Sequence, residues 1–529
     1  MAHVPGVRRP SLALVLHAHL PWVRHPEHER FLEESWFFEA VAESYLPLLR
    51  VLGGWARDHL PARITVSISP TLGAMLEDPL LRERFGRWLE ARVELAEQET
   101  FRTRWLGPVN EVANFYQERF QWMAAFWDEI GGEVLKAFRA LSEAGVVEMI
   151  TCAGTHGLLP FLADQPGSLR AQTELAQAEF RRWFGQPSQG LWLPECSYSR
   201  EVERPVREAG FRWCVLETHG LHHADPLPPA LHLAPAITPE GLAVVARDPE
   251  SARQVWSRET GYPGDVVYRD FYHDIGFELD ADYVEACLPA PGIRGFTGFK
   301  YSRITGPTDA KEPYDRAVAL ERVRFHAEHF VEGRLAQCAE AAGRLDIPFL
   351  VTAPYDAELF GHWWFEGPEF LDAVGRIAAE RGLDLATPTD FLAAHPEQAL
   401  THPAASSWGE HGYWRLWLNE GNAWVQGHLR PADRRMTEMA TGKMETDAAR
   451  WTLLKFAGRE LLLAQASDWP FILRTGTSPD YARQRIVHHL EIFWKLETLW
   501  REGRPDEAAS LVTDAALFPS LDPAWWRMR

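Results

Sequence analysis

Short apolar runs recur along this chain, and nearly every one ends in residues that can do chemistry. Residues 12–16 run into His17 and His19, and residues 64–68 run into Ser69, Pro70 and Thr71. Residues 147–151 lead to Thr155 and His156, and residues 191–193 lead to Glu195 and Cys196. Runs at 214–216, 349–352 and 383–386 lead to Glu217 and His219, to Tyr355 and Asp356, and to Thr387 and Pro388. Amphipathic segments of helical period, such as 168–183 and 313–342, lie between many of them. Strands alternating with helices imply a parallel sheet covered by helices. Polar residues gathered at strand C-termini are the active-site signature of a β/α barrel. About seven such strands can be counted, fewer than the eight of the regular barrel.

Two stretches break the alternation. Residues 75–144 are helix-like and charge-rich, at 80–99 and again at 111–131, and read as a helical insertion. After about His402 the strand signals stop, and 453–467, 478–502 and 504–513 read as helices by period and capping residues. The expected division is therefore a discontinuous catalytic domain (1–74 and 145–401), a helical insertion (75–144) and a C-terminal helical domain (402–529). Proline-rich stretches at 225–239 and 288–291 read as long loops after strands, where function often resides.

Bulk properties exclude more than they select. With 529 residues the chain exceeds one ordinary core. A formal net charge of −20 argues against nucleic acid or an anionic membrane as partner. No long apolar stretch follows the basic residues of 1–10, so neither a signal peptide nor a membrane span is expected, and the default location is the cytoplasm. Five scattered cysteines without a Cys-x-x-Cys pair predict no structural zinc and no disulfide framework. The 23 tryptophans fit a large aromatic core, but they also supply flat apolar platforms with one N–H donor, on which the apolar faces of sugar rings stack.

Two carboxylates stand out. Glu195 follows a buried strand and a proline in Leu-Trp-Leu-Pro-Glu-Cys; a helix cap or surface acid is the plain alternative. Asp356 follows another strand and precedes Phe-Gly-His-Trp-Trp-Phe, a run that must be core or line a ligand cleft. Apolar surroundings would raise its carboxyl pKa, as a general acid requires. Carboxylates on neighbouring strand ends fit glycoside chemistry, and a retaining pair would stand roughly 5–5.5 Å apart. His17 and His19, at i and i+2, point to opposite faces if the strand continues, which is poor metal geometry. His17, His156 and His219 could still converge above a barrel, as a metal hydrolase or deacetylase site or as donors to sugar hydroxyls. Buried, hydrogen-bonded histidines are the alternative.

Five motifs in order resemble glycoside hydrolase family 57. They are His17-Ala-His-Leu-Pro, Gly154-Thr-His-Gly, Trp192-Leu-Pro-Glu-Cys, Tyr355-Asp-Ala-Glu-Leu-Phe-Gly-His-Trp-Trp and Ser467-Asp-Trp-Pro-Phe. Within that family the 1,4-α-glucan branching enzymes are the nearest resemblance, through the segments around Trp256, Tyr268 and Trp408 to Trp417. The resemblance implies an α/β fold: a distorted (β/α)7 TIM-like barrel with a helical insertion and a C-terminal α-helical domain. It implies a retaining mechanism on α-1,4-glucan, with Glu195 as nucleophile, Asp356 as acid/base, and no metal or other cofactor. His17, His19, His156, Trp192, Trp256, Trp364, Trp408, Trp417 and Asp468 would bind substrate. A monomer or small homo-oligomer is expected, with no nucleic-acid or membrane partner. One departure bears on the acceptor. Branching enzymes of the family carry a tyrosine on the loop after the strand that precedes Glu217, whereas residues 218–260 contain none. His222, His223 and His232 are the candidates left there to substitute, and a hydrolytic α-amylase or a 4-α-glucanotransferase is the alternative activity.

Overall fold

The structure is a computed structural model that describes residues 10–257, 260–441 and 447–527. Its strands are β1 (Ser11–Ala18), β2 (Ile64–Ile68), β3 (Val147–Cys152), β4 (Gly190–Trp192), β5 (Trp213–Leu216), β6 (Ala236–Ile237), β7 (Ala243–Ala246), β8 (Leu350–Asp356), β9 (Asp384–Leu385) and β10 (Ala399–Leu400). The main helices are α1 (Leu46–Arg57), α2 (Pro79–Thr103), α3 (Pro108–Glu129), α4 (Pro166–Phe184), α5 (Pro249–Trp256), α6 (Arg316–Ala342) and α7 (Gly367–Arg381). They are followed by α8 (Trp424–Ala440), α9 (Ala448–Ala464), α10 (Asp468–Thr475) and α11 (Pro479–Glu502). Among the described residues no helix is long and apolar enough to cross a membrane.

The chain divides into two compact units. The first takes Met1–Thr65, Met75–Glu148 and Asp248–Thr387; the second takes Val66–Ala74, Met149–Arg247 and Pro388–Arg529.

In the first unit β1 lies between β8 and β9, parallel to both. Seven of its eight residues are buried, as the unbroken apolar run requires of a strand covered on both faces. The register sets Ser11 opposite Leu350 and His17 opposite Asp356, so both chemically capable residues reach the same end of the ladder. β8 is the terminal strand in its sheet order, which suits Pro354, a residue with no N–H to offer a further neighbour. Residues 79–103 and 108–129 of this unit are helical. α2 starts where the Asp78 side chain accepts from Leu81 N at 3.0 Å, with Pro79 in the first turn. α6 is capped by Asp315, and α7 ends at left-handed Gly382.

In the second unit β3, β4, β5 and β7 run parallel, β6 is antiparallel to β7, and β10 is parallel to β6. Leu191, Leu193, Cys214, Leu216, Val244 and Phe211 form its core. Sequence reading missed β6, β7 and β10, of two, four and two residues; β6 lies inside the proline-rich stretch read as a loop. The C-terminal segment is helical, with α9 capped by Asp447 and α11 closed by left-handed Gly503. Residues 505–511 form a 3-10 turn rather than an α-helix.

Candidate active site

In the second unit Glu195 sits on a strained turn. β4 ends at Trp192, and Glu195 and Cys196 both take left-handed backbone, at φ 62° and 48°. Such conformations cost non-glycine residues about 1–3 kcal/mol each and persist only where the surroundings hold them. Here Cys196 N bonds Leu193 O at 2.9 Å, and Trp408 N bonds Glu195 O at 3.0 Å. The Trp408 strap is held by antiparallel pairing of Tyr198 with Ser406.

The Glu195 carboxylate accepts through both oxygens. The Trp408 indole N–H donates to Oε2 at 2.6 Å, and Ser467 Oγ donates to Oε1 at 3.0 Å. His156 Nδ1 stands 2.7 Å from Ser467 Oγ and 3.7 Å from Glu195 Oε1. A serine hydroxyl has one proton, and the carboxylate takes it. His156 must therefore carry hydrogen on Nδ1 and donate to the serine oxygen. Hydrogen bonds to both oxygens favour the ionised carboxylate, the state a nucleophile needs. Asp468 is half-buried in the first turn of α10, beside Ser467.

In the first unit Asp356 ends β8 and opens a 3-10 turn, Ala357–Leu359. Glu358 on that turn accepts from the Tyr45 hydroxyl and from His19 N, the latter at 3.2 Å. Burial pushes the Glu358 carboxyl up, and burial with the Glu358 and Asp356 charges pushes the Tyr45 phenol well above its usual range. Tyr45 closes a π-helical turn, Val41–Tyr45, and Glu43 of the same turn takes the His362 ring at 2.5 Å. Burial opposes ionisation of Glu43. The hydrogen bond and charge of His362, with the nearby Lys300 and Arg269, outweigh it and hold its pKa at about 2. Gly361 makes the approach possible: its φ is +115°, and a Cβ there would lie 1.8 Å from Glu43 O.

The two-face expectation for His17 and His19 fails because β1 ends at Ala18. Beyond the strand the period-2 rule lapses, and the imidazoles stack at 5.7 Å and 15°. Burial, and then His19, lower the His17 pKa well below 6.5, so His17 is neutral at physiological pH.

The tryptophans sort by exposure. Trp256 is 44% exposed at the end of α5, and Trp408 is half-buried with its edge to Trp192. Trp192, Trp364 and Trp417 are 0%, 1% and 2% exposed and are core side chains here, not open platforms. Trp364 is covered by Tyr268 and Phe370, and Trp417 packs on Phe471. The open indole beside the Asp356 loop is Trp363, 55% exposed and stacked at 4.6 Å on Phe271. Sequence reasoning also missed Ser467, Tyr45 and Glu358. Ser467 adjoins Asp468 and Glu358 lies two residues past Asp356, so motif position pointed to both; nothing local marked Tyr45. Of the histidines in the tyrosine-free segment, His222 and His232 bond each other at 2.8 Å, and His219 bonds Gly412 O.

The class follows from these arrangements: an α/β enzyme with carboxylates and histidines at strand ends, as in carbohydrate-active enzymes. A family model described as glycosyl hydrolase family 57 matches residues 13–403, and the model for the 1,4-alpha-glucan branching enzyme C-terminal region matches residues 428–526. A 1,4-alpha-glucan branching enzyme of Thermococcus kodakarensis is 31% identical over 92% of this chain and 73% of its own length. The solved structure described as the novel alpha-amylase AmyC from Thermotoga maritima is 35% identical with a TM-score of 0.92, over 98% of this chain and 99% of that one. The family 57 branching enzyme structure from Pyrococcus horikoshii is 30% identical with a TM-score of 0.86, over 98% and 97%. The chain belongs to glycosyl hydrolase family 57. With it comes the fold class expected from the sequence, a distorted (β/α)7 TIM-like barrel with added helices and a C-terminal helical region.

Proposed function

We propose that the chain is a 1,4-α-glucan branching enzyme. Glu195 attacks the anomeric carbon of an α-1,4 linkage while Asp356 protonates the departing oxygen. The glucan chain is then held as an ester on Glu195. Asp356, now a base, takes the proton from a glucose 6-hydroxyl, which displaces Glu195 and leaves an α-1,6 branch. The observation that carries this reading is the Glu195 carboxylate itself, which accepts from two donors on a strained turn. The branching-enzyme C-terminal match and the branching relatives support the choice of acceptor. On this reading 1–74 with 145–401 is the catalytic domain, 75–144 the insertion and 402–529 the helical domain. His17, His19, His156, Trp256, Trp408 and Asp468 bind the glucan, Trp363 joins them, and no metal takes part. Glycogen-type synthesis in the cytoplasm, by a monomer or small homo-oligomer, completes the proposal.

The test is incubation with amylose, followed by proton NMR. New α-1,6 signals are expected; reducing ends released without them would overturn the reading.

Hydrolysis is the second reading. It is favoured by the likeness to the Thermotoga α-amylase structure and by the absence of tyrosine from 218–260. The same incubation decides between them, because both share the step on Glu195.

A further inference from the structure

A run of buried polar side chains that the proposed mechanism does not use lies behind the Gly154-Thr-His-Gly turn of the second unit. The turn is costly by itself. His156 has φ 58°, a left-handed backbone that a non-glycine residue keeps only where its surroundings hold it. Gln172 on α4 supplies the hold. Its backbone O accepts from Gly154 N at 2.9 Å, and its side-chain Oε1 accepts from Thr155 N at 2.9 Å. The side chain is pressed against the turn: a Cβ on Gly157 would stand 2.6 Å from Gln172 Nε2, and one on Gly154 would stand 3.3 Å from Gln172 Oε1. The two glycines of the motif leave room for this amide. The turn so held aims His156 at Ser467, whose Oγ lies 2.7 Å from His156 Nδ1 and 3.0 Å from Glu195 Oε1.

The orientation of each group in the run is forced. A backbone N–H can only donate, so Gln172 turns Oε1 to Thr155 N and leaves Nε2 as a donor. Thr155 Oγ1 gives its one proton to Leu462 O and accepts from Gln172 Nε2 at 2.8 Å. Gln172 Nε2 also reaches Gln465 Oε1 at 3.4 Å, and Gln465 Nε2 donates to Ser168 Oγ at 3.0 Å. Ser168 accepts a second time, from the Trp526 indole N–H at 3.1 Å, so its own proton goes to Asp433 Oδ1 on α8. Burial pushes the Asp433 carboxyl up to about 6, which leaves it ionised at neutral pH and able only to accept. From Thr155 N onward, the donors of the run point toward Asp433. Ser168 and Gln172 stand four residues apart on α4, on one face, so a single helix offers both. Thr155, Ser168, Gln172, Asp433 and Gln465 are each 6% exposed or less. A polar group without a partner is costly there, so a run satisfied in one arrangement fixes the turn in that arrangement.

We infer that Gln172 is a positioning residue for the nucleophile, held in its amide orientation by Gln465, Ser168 and Asp433 and acting on Glu195 through the His156 turn and Ser467. The inference rests on Glu195 being the nucleophile, as proposed above.

The test compares Gln172→Leu, Asp433→Leu and Asp433→Asn with the parent full chain. It reads initial rates on amylose, and NMR of protein carrying isotopically labelled nitrogen in its histidine rings. The His156 Nδ1–H signal is identified by its loss in His156→Gln. Gln172→Leu should move that signal and lower kcat about tenfold or more, with KM changed less than about twofold, because misplacement acts on the chemical step. Asp433→Leu should shift both readings in the same direction, and it carries the test if Gln172→Leu does not fold. Asp433→Asn keeps an oxygen acceptor for Ser168 and should bring both back toward the parent's. Lower melting temperatures with the His156 signal and the kcat of the folded protein unchanged would make the run merely structural and overturn the inference. Turnover by Glu195→Gln equal to the parent's would instead overturn the reading of the nucleophile, and the His156 signal would still report whether Gln172 holds the turn.

Discussion

Trp408 donates its indole N–H to Glu195 Oε2 at 2.6 Å, across 213 residues of chain. The same side chain was expected to serve as a sugar platform; the structure makes it also a donor that sets the proposed nucleophile. Trp408→Phe keeps a ring and removes the donor. A hydrogen bond to a charged group is worth about 1.5–3 kcal/mol. The variant should therefore lose about tenfold or more in kcat on amylose, with KM changed less. A kcat equal to the parent's would show that the indole N–H does not support the carboxylate.

The carboxylate roles separate by leaving group. Asp356→Asn should slow turnover on amylose by about 10²–10⁴-fold, the usual worth of general acid–base help. It should be slowed far less in forming the ester from an activated aryl glucoside, whose departure needs no proton. Glu195→Gln should abolish both reactions. Equal losses by Asp356→Asn on the two substrates would remove it as the acid.

Trp363 and Trp364 are neighbours with opposite expectations. Trp364→Ala opens a core hole among Tyr268, Phe360 and Phe370 and should cost about 3–5 kcal/mol of stability. Trp363→Ala removes an exposed ring and should leave the denaturation midpoint nearly unchanged while raising KM for long glucans. Thermal melts and initial rates on the two proteins check both statements.

The turn around Gly361 should tolerate no side chain. At φ +115°, with Glu43 O where a Cβ would stand, Gly361→Ala should lower stability by more than about 1 kcal/mol and reduce activity, because His362 and Glu358 flank it. An unshifted melting curve would contradict this.

Acid should weaken the fold partly through His326. Burial lowers its pKa to about 4 against Asp265, which pulls the other way, from a usual 6.5. Between those values the unfolded chain binds the proton and the folded chain does not. This contribution to stability is thus present above 6.5 and is lost as pH falls toward 4. His326→Gln should show a shallower fall in unfolding free energy over that window than the parent, as read by denaturant melts at several pH values; parallel curves would refute it.

Much of this protein was legible from local pattern. β2 matches its apolar run residue for residue, and α2, α3, α6 and α11 lie where period and capping residues put them. Local pattern works there because a short run of mainly β-branched residues closed by Ser-Pro reads as a strand, and a helix announces its ends with Asp, Pro or Gly. The chemistry was legible for the same reason. Polar residues directly after a buried strand are delivered to one edge of the sheet, so Glu195, Asp356, His17 and His156 stood out before any fold was known.

Burial of the aromatics and the partners of the acids were decided only in three dimensions. Trp363 and Trp364 are equivalent in sequence, yet one is open and the other covered by Tyr268 and Phe370. The donors to Glu195 come from Trp408 and Ser467, more than two hundred residues away. The π-turn that brings Tyr45 to Glu358 crosses 313 residues. A residue's type states which bonds it can make; which ones it does make depends on side chains brought near by packing, and that information is not local to the chain.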